Sequence, residues 1–257
     1  MILKWLRFFR IVNLPTVPGD VLVGCAAAMA GLGLALPRRE VTPGTLLAAC
    51  LASCFLYLWG LADNDIVGAK TDTDRPIPNG EISLGAARVA RALCLIGAIA
   101  CSLVGEYVFG MSSAWQHVMG WLLVAMIVYN RTKWSPVMGL CRGLNVLCGV
   151  MAVTAQEVPS SPSTTGAVTA CLYYYLPPLI WTLYIWFVTK MSEGEETNPM
   201  KKQLVGALIG GLVYLQLAAL VVFAVIEPAT NKLLIAGAVL LIVLRFTKRL
   251  LPKVSAS

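Results

Sequence analysis

Charged residues are scarce in this sequence. Only 13% of its 257 residues are Asp, Glu, Lys or Arg, whereas about 25% is usual for a soluble domain. The hydrophobic share is 58% and the mean hydropathy is +0.76. Together these values exclude an ordinary soluble protein and predict a polytopic membrane protein.

Histidine is nearly absent, since His117 is the only one. The eight cysteines include no Cys-x-x-Cys pair. Zinc and haem sites are commonly built from His or from such cysteine pairs, so neither kind of centre is expected. We interpret the cysteines as small buried side chains between helices: Cys25, Cys50, Cys54, Cys94, Cys101, Cys141, Cys148 and Cys171.

The sequence contains long apolar segments with few charged residues. A helix that crosses a bilayer needs about 20 apolar residues. About eight segments approach this length, and they leave almost nothing for a soluble domain. We therefore expect a single all-α membrane domain over residues 1–257, a helical bundle with spans near residues 14–36, 44–62, 86–107, 113–130, 136–156, 168–189, 203–226 and 230–246.

Small residues spaced four apart occur in two of these spans. The pairs are Gly139 with Gly143 and Gly206 with Gly210. Such pairs let helix backbones approach closely inside a membrane. We interpret both pairs as packing contacts between helices.

The positions of the basic residues indicate how the chain is oriented in the membrane. The net charge is +7, and most Lys and Arg fall on one side of the predicted spans. If the N-terminus is cytoplasmic, the opposite side holds only Arg38, Arg39 and Lys232, as the positive-inside rule predicts. The charge therefore does not indicate a nucleic-acid partner. We expect a multi-pass protein of a bacterial cytoplasmic membrane, with the functional loops facing the cytoplasm.

Acidic residues are few, and most of them lie in two segments. Four of the 13 Asp and Glu residues lie within residues 63–74, and three lie within residues 193–196. Four predicted spans separate the two segments, so both fall on the same side of the membrane. Ionisable groups at a membrane boundary are by default candidates for function. Solvated loop charges are the alternative interpretation.

The first acidic segment suits a hard cation. If the second span continues as a helix past Asn64, the side chains of Asp65 and Asp72 lie nearly on one face. Converging carboxylates repel one another unless a cation lies between them. Mg²⁺ binds such oxygen ligands together with substrate phosphates. Arg75 and Lys190 could contact the phosphate oxygens directly.

Three stretches resemble the UbiA-type intramembrane prenyltransferases. "NDIVGAKTDTDRPIPNGEIS", residues 64–83, is similar to the first signature, Asn-Asp-x-x-Asp-x-x-x-Asp followed by Arg-Pro-Ile-Pro. "YNRTKWSPVMGLCRGLNVLCGV", residues 129–150, resembles the mid-chain stretch with its Gly-x-x-Arg-Gly-x-Asn. Residues 9–24 resemble the family's opening, where an Asn of the first helix faces the active site. The resemblance covers most of the chain.

The sequence departs from the family pattern in places. Gly68 stands where the family has its middle Asp, and the stretch from Asn64 to Arg75 is about one helical turn shorter. The second signature, Asp-x-x-x-Asp, reads "TKMSEGEET" here, with Glu195 as the retained carboxylate. This form is closer to the Ser-Arg-Gly-Glu of a divergent branch. The family usually has nine spans, so the ninth is expected to be missing.

The resemblance implies Mg²⁺-dependent transfer of a polyprenyl group from an isoprenyl diphosphate to a small, often aromatic acceptor. Its partners would be that diphosphate, the acceptor and membrane lipid, with no nucleic acid. The catalytic residues would be Asp65, Asp72 and Glu195. The metal ligands would be Asn64, Asp65, Asp72, Glu193, Glu195 and Glu196. The substrate-binding residues would be Asn13, Asn64, Arg75, Lys133, Arg142, Asn145 and Lys190.

Two other functions fit the sequence less well. A non-catalytic UbiA-like lipid-binding or assembly protein would keep the bundle and lose one metal site, which Gly68 and the lack of Asp in the second segment favour. A small transporter or proton relay would need charges inside the spans or an inverted repeat. Asp20 is the only deep acidic candidate, and pairing with a neighbouring polar residue would explain it.

Overall fold

The computed structural model describes residues 2–32, 41–70, 72, 75–154, 164–193 and 199–250. These residues form nine α-helices with short 3₁₀ turns and no strand, which confirms the all-α prediction. The helices are α1 (Ile2–Phe8), α2 (Thr16–Leu32), α3 (Pro43–Val67), α4 (Leu84–Tyr107), α5 (Ser113–Thr132), α6 (Ser135–Val153), α7 (Thr164–Ser192), α8 (Pro199–Ile226) and α9 (Asn231–Leu250).

Eight of these helices are long, in agreement with the eight predicted apolar segments. Six segments of the described chain are long and apolar enough to cross a membrane. They are Ile11–Gly31, Pro43–Lys70, Leu84–Tyr107, Ser135–Val153, Cys171–Ser192 and Gln203–Ile226. The other two long helices, α5 and α9, have 20 residues each and are less apolar. The polytopic helical fold is therefore confirmed.

Local sequence signals explain where α3 and α4 begin. The Thr42 hydroxyl accepts the backbone N–H of Thr45 at 3.1 Å, and Pro43 fits the first turn because no partner is needed for its nitrogen. Ser83 caps α4 in the same way. Between α3 and α4 a compact turn closes at Gly80, whose φ of +71° suits a residue without a side chain.

Helix α2 lies at the centre of the bundle, against α3, α6, α7 and α8. Its contact with α6 depends on glycine. A Cβ on Gly24 would lie 2.0 Å from the Val146 carbonyl oxygen, and one on Gly149 would lie 2.0 Å from that of Val21. The two backbones are therefore in direct contact. This contact fixes the α6 side chains against α2.

The short helix α1 lies across the end of the bundle where α3 ends and α6 begins, which we call the cavity end. Lys4 donates to the Glu81 carbonyl oxygen at 2.6 Å, and Arg7 pairs with the Glu81 carboxylate at 2.9 Å. The fully buried Phe8 packs against Ile82. These contacts bring Arg10, just after α1, over the end of α3.

Candidate functional site

A cavity of about 250 Å³ lies between α2, α3, α5 and α6 at the cavity end. It combines charged side chains with an apolar wall, as a site for an amphiphilic ligand would. Its lining residues are Arg10, Val17, Ser53, Tyr57, Gly60, Leu61, Asn64, Asp72, Arg75, Met126, Tyr129, Asn130, Lys133, Met138, Cys141, Arg142 and Asn145.

The outer edge of this cavity is formed by Arg10, Asn64, Asp72, Arg75 and Lys133, which we call the rim. The Lys133 ammonium donates to the Asn64 side-chain oxygen. Nε of Arg75 lies 3.8 Å from the Asp72 carboxylate. The rim thus holds three cations and two side chains, Asn64 and Asp72, whose oxygen atoms could bind a metal ion. We call these two the oxygen donors of the rim.

Asp65 lies beneath the rim and is only 1% exposed. Nη2 of Arg10 lies 3.1 Å from its Oδ1, and Nη1 of Arg75 lies 3.3 Å from the same atom. A buried carboxylate is tolerated only when it is paired in this way. Asp65 therefore fixes two rim arginines, and its predicted contact with a metal stays a prediction.

Asp63 is equally buried but does not itself line the cavity. Its carboxylate pairs with Arg91 at 2.7 Å and with Arg131 at 3.2 Å, and it accepts a hydrogen bond from Asn130 at 3.0 Å. These contacts join α3 to α4 and α5. Neither arginine lines the cavity. Asp63 thus resembles Asp65 in its burial and its ion pairs with two arginines, but its arginines do not belong to the rim.

The opposite end of the cavity, which we call the inner end, is formed by Ser53, Tyr57, Arg142 and Asn145. Behind it lies Asp20, which is fully buried. Nε of Arg142 lies 2.9 Å from the Asp20 carboxylate, and Asn145 donates to it at 3.1 Å. Asp20 is therefore paired with polar neighbours, as its sequence position suggested.

The second acidic segment begins near the same end of the bundle. Lys190 donates to the Glu193 carboxylate at 2.8 Å, and this bond, with a smaller contribution from the Ser135 hydroxyl, lowers the pKa of Glu193. Ser135 is two residues from Lys133 of the rim. Lys190 and Glu193 are exposed and do not line the cavity. Glu195 and Glu196 lie outside the described residues.

Two further positions bear on the sequence predictions. Asn13, predicted to bind substrate, is half-buried in a 3₁₀ turn before α2 and does not line the cavity. Gly68 leaves room for Asp72, because a Cβ there would lie 2.6 Å from the Asp72 carboxylate oxygen. The Asp72 carboxylate thus occupies the space beside Gly68.

Several residues that line the cavity were not predicted from the sequence. In the sequence Arg10 looks like one of many basic residues, and Ser53 and Tyr57 look like ordinary members of an apolar span. Arg10 carries one usable signal, since it lies in a polar break just before the first long span. Ser53 and Tyr57 carry none, because their positions depend on how α3 is rotated in the bundle.

The model of the UbiA prenyltransferase family matches residues 24–252. The chain belongs to this family. No curated protein matches the sequence.

Solved UbiA structures share the fold. A UbiA homolog from Archaeoglobus fulgidus bound to GPP and Mg²⁺ aligns with 93% of this chain and 86% of its own, at 15% identity and a TM-score of 0.52. A structure of digeranylgeranylglyceryl phosphate synthase in membranes aligns with 98% of this chain and 92% of its own, at 16% identity and a TM-score of 0.51. Family membership and the six apolar spans together make this chain an integral membrane protein.

Proposed function

We propose that this UbiA protein transfers a polyprenyl group from an isoprenyl diphosphate to a small acceptor within the membrane, with Mg²⁺ as cofactor. One observation carries the proposal: the cations and oxygen donors of the rim lie at one end of a cavity whose wall is largely apolar. An isoprenyl diphosphate is likewise charged at its diphosphate head and apolar along its prenyl chain.

The oxygen donors of the rim suit Mg²⁺. Asn64 and Asp72 line the cavity, and Asp65 lies directly beneath them. Among the described residues no three His, Cys, Asp or Glu side chains converge on one point. Mg²⁺ needs no such cluster, because it binds through one or two carboxylates plus substrate phosphates. We propose Glu193, Glu195 and Glu196 for a second ion.

The charges near the rim match a diphosphate. Arg10, Arg75 and Lys133 supply three positive charges, and Asp65 and Asp72 supply two negative ones. The excess is a single positive charge, which a bound Mg²⁺ would raise to three. A fully ionised diphosphate monoester carries three negative charges. The charges of these five described residues are therefore balanced only when one metal ion and the diphosphate are both bound.

The rim cations would assist the chemical step. Ionisation of an allylic diphosphate places negative charge on the leaving group, and Arg10, Arg75 and Lys133 can stabilise that charge. Mg²⁺, when bound, would supply further stabilisation of the same oxygens. Met126, Met138 and the ring of Tyr129 line the cavity and would exclude water from the allylic cation.

We further propose that residues 1–257 act as one membrane domain in a bacterial cytoplasmic membrane. The rim would then face the cytoplasm, where water-soluble Mg²⁺ is available. The excess of basic residues on that side supports this orientation.

The test is a transfer assay on purified protein with Mg²⁺, a radiolabelled isoprenyl diphosphate and a panel of acceptors. Asp65→Asn should lower product formation about 100-fold, because Arg10 and Arg75 lose the group that fixes them. Asp63→Asn is the matched control: Asp63 is equally buried but does not line the cavity, so the variant should lower thermal stability and lower the rate far less than Asp65→Asn does. Glu195→Gln should also lose activity. Full activity in both Asp65→Asn and Glu195→Gln would remove these carboxylates from the mechanism.

A non-catalytic lipid-binding or assembly protein is the second candidate. The contacts at Asn64 and Asp65 favour it, since Lys133 already binds the former and two arginines already bind the latter. Diphosphate binding without turnover across a broad acceptor panel would support this function. Mass spectrometry of lipid that co-purifies with the protein would then identify the ligand.

A further inference from the structure

The inner end of the cavity differs from the rim in its charge. Asp20 of α2 accepts hydrogen bonds from side chains of three other helices: Arg142 at 3.2 Å and Asn145 at 3.1 Å from α6, Trp181 at 2.9 Å from α7 and Gln216 at 2.6 Å from α8. Arg142 is the only cation of this group. One carboxylate and one guanidinium therefore leave the inner end without net charge.

The pairing also fixes how Arg142 faces the cavity. Nη2 of Arg142 donates to Asp20 and to the Thr16 carbonyl oxygen, each at 3.2 Å, whereas Nε lies 2.9 Å from the Asp20 carboxylate without the geometry of a hydrogen bond. The side chain is only 12% exposed, and it lines the cavity. Within the described residues Nη1 has no hydrogen-bond partner, so its N–H groups are available to a ligand.

Tyr57 is the second available group. It lines the cavity, and its hydroxyl has no hydrogen-bond partner among the described residues. Arg10 of the rim and Arg142 both lie close enough to act electrostatically on this hydroxyl. The other polar groups here are already satisfied, because Ser53 donates to the Asn145 side-chain oxygen and the Asn145 amide donates to Asp20 and to the Val17 carbonyl oxygen.

The inner end lies well below the rim. Tyr57 precedes Asn64 by two turns of α3, which places it about 10 Å farther into the bundle. This spacing leaves room for a diphosphate at the rim and a second, smaller molecule at the inner end.

We propose that the inner end binds the acceptor, and that it selects an acceptor whose polar group is a neutral hydroxyl or carbonyl and not a carboxylate. This inference rests on the proposed function. A neutral oxygen can accept from Arg142 and exchange a hydrogen bond with Tyr57. A carboxylate would enter a buried site where the charge of Arg142 is already offset by Asp20 and that of Arg10 by Asp65. Asp20 is thus the positioning residue that sets this preference.

The test uses two probes that differ only in charge: 4-hydroxybenzoate and its methyl ester. Their affinities for the purified protein are measured by titration calorimetry, with Mg²⁺ and inorganic pyrophosphate present to fill the rim. The wild type should bind the ester roughly tenfold more tightly than the acid. Equal affinities, tighter binding of the acid, or no binding of either probe would overturn the inference.

Asp20→Asn provides the decisive comparison. It removes the negative charge and keeps the shape, so the inner end gains a net positive charge from Arg142. The ratio of ester to acid affinity should then shift roughly tenfold or more toward the acid. An unchanged ratio would overturn the inference. Since both proteins are measured with both probes, the greater hydrophobicity of the ester cancels in this comparison.

Tyr57→Phe gives a second reading if Asp20→Asn does not fold. It should weaken ester binding roughly tenfold. Tyr174→Phe is the matched control, since the Tyr174 hydroxyl also has no partner among the described residues but lies outside the cavity. Equal effects of the two variants would contradict the proposed subsite. If the wild type shows no Mg²⁺-dependent binding of pyrophosphate, the proposed function itself is contradicted, and not only the subsite.

Discussion

Two rim cations have unusual backbone conformations. Arg10 and Lys133 are the non-glycine residues of the described chain with positive φ, at 41° and 54°. This left-handed region costs about 1 kcal/mol or more for residues with a side chain, and such residues are frequent at functional sites. At Lys133 the turn also ends α5, with its N–H donating to the Tyr129 carbonyl oxygen at 2.7 Å. It directs the side chain back to Asn64.

The protonation of Lys133 should limit ligand binding at high pH. Partial burial lowers the pKa of its ammonium group, although the Asp72 carboxylate acts in the opposite direction. As the pH rises, Lys133 should therefore lose its proton before an ordinary lysine would, and affinity for the diphosphate should fall. Arginine keeps its charge throughout this range.

The measurement is the affinity for pyrophosphate with Mg²⁺, determined for wild type and Lys133→Arg between about pH 7 and 9.5. The wild type should lose affinity in the upper part of this range, and the variant should not. If the two pH profiles coincide, Lys133 does not contact the diphosphate as a cation.

At the residue scale the sequence predicted the motif residues and missed the others. The structure brings six predicted residues to one cavity: Asn64, Asp72, Arg75, Lys133, Arg142 and Asn145. Arg10 carries only the signal of its polar break, because a backbone reversal places its side chain, and Tyr57 carries none, because the rotation of α3 places it. Asp20 could be recognised as buried, but its partners Trp181 and Gln216 come from helices far along the chain.

At the scale of helices, glycine decides which pairs approach closely. The predicted pair Gly139 and Gly143 is confirmed, since a Cβ at either would lie within 2.5 Å of Thr182 on α7. Gly206 has no neighbour within 4 Å in the described part of the chain, so the packing contact predicted for Gly206 and Gly210 stays a prediction. Two glycines four residues apart show that one face of a helix is lined by small residues. They do not show whether that face contacts a neighbouring helix.

Gly149→Ala should separate α2 from α6. Its added methyl group would meet the Val21 carbonyl oxygen, and backbone cannot move aside as a flexible side chain can. We expect destabilisation of about 1–3 kcal/mol, measured as a lower temperature for loss of monodisperse protein in detergent. Gly206→Ala is the control and should change this temperature little. Equal effects of the two variants would show that the close approach of α2 and α6 does not limit stability.

At the scale of the whole molecule, the fold brings described residues of both acidic segments to the cavity end. The two acidic segments are separated by four long helices, yet Glu193 lies beside Ser135, two residues from the rim's Lys133. Counting apolar spans predicted this shared side from the sequence. The depth and charge of the cavity could not be counted in that way, because they depend on contacts among helices distant in sequence.

The central claim is that the rim binds a diphosphate while the cavity receives the start of a prenyl chain. A structure of the purified protein with Mg²⁺ and a non-hydrolysable thiolodiphosphate of geraniol tests it most directly. The account predicts the diphosphate in contact with Arg10, Arg75 and Lys133, with the first isoprene unit between Met126 and Tyr129. Density for the ligand only on the outer surface of the bundle, with the cavity empty, would contradict it.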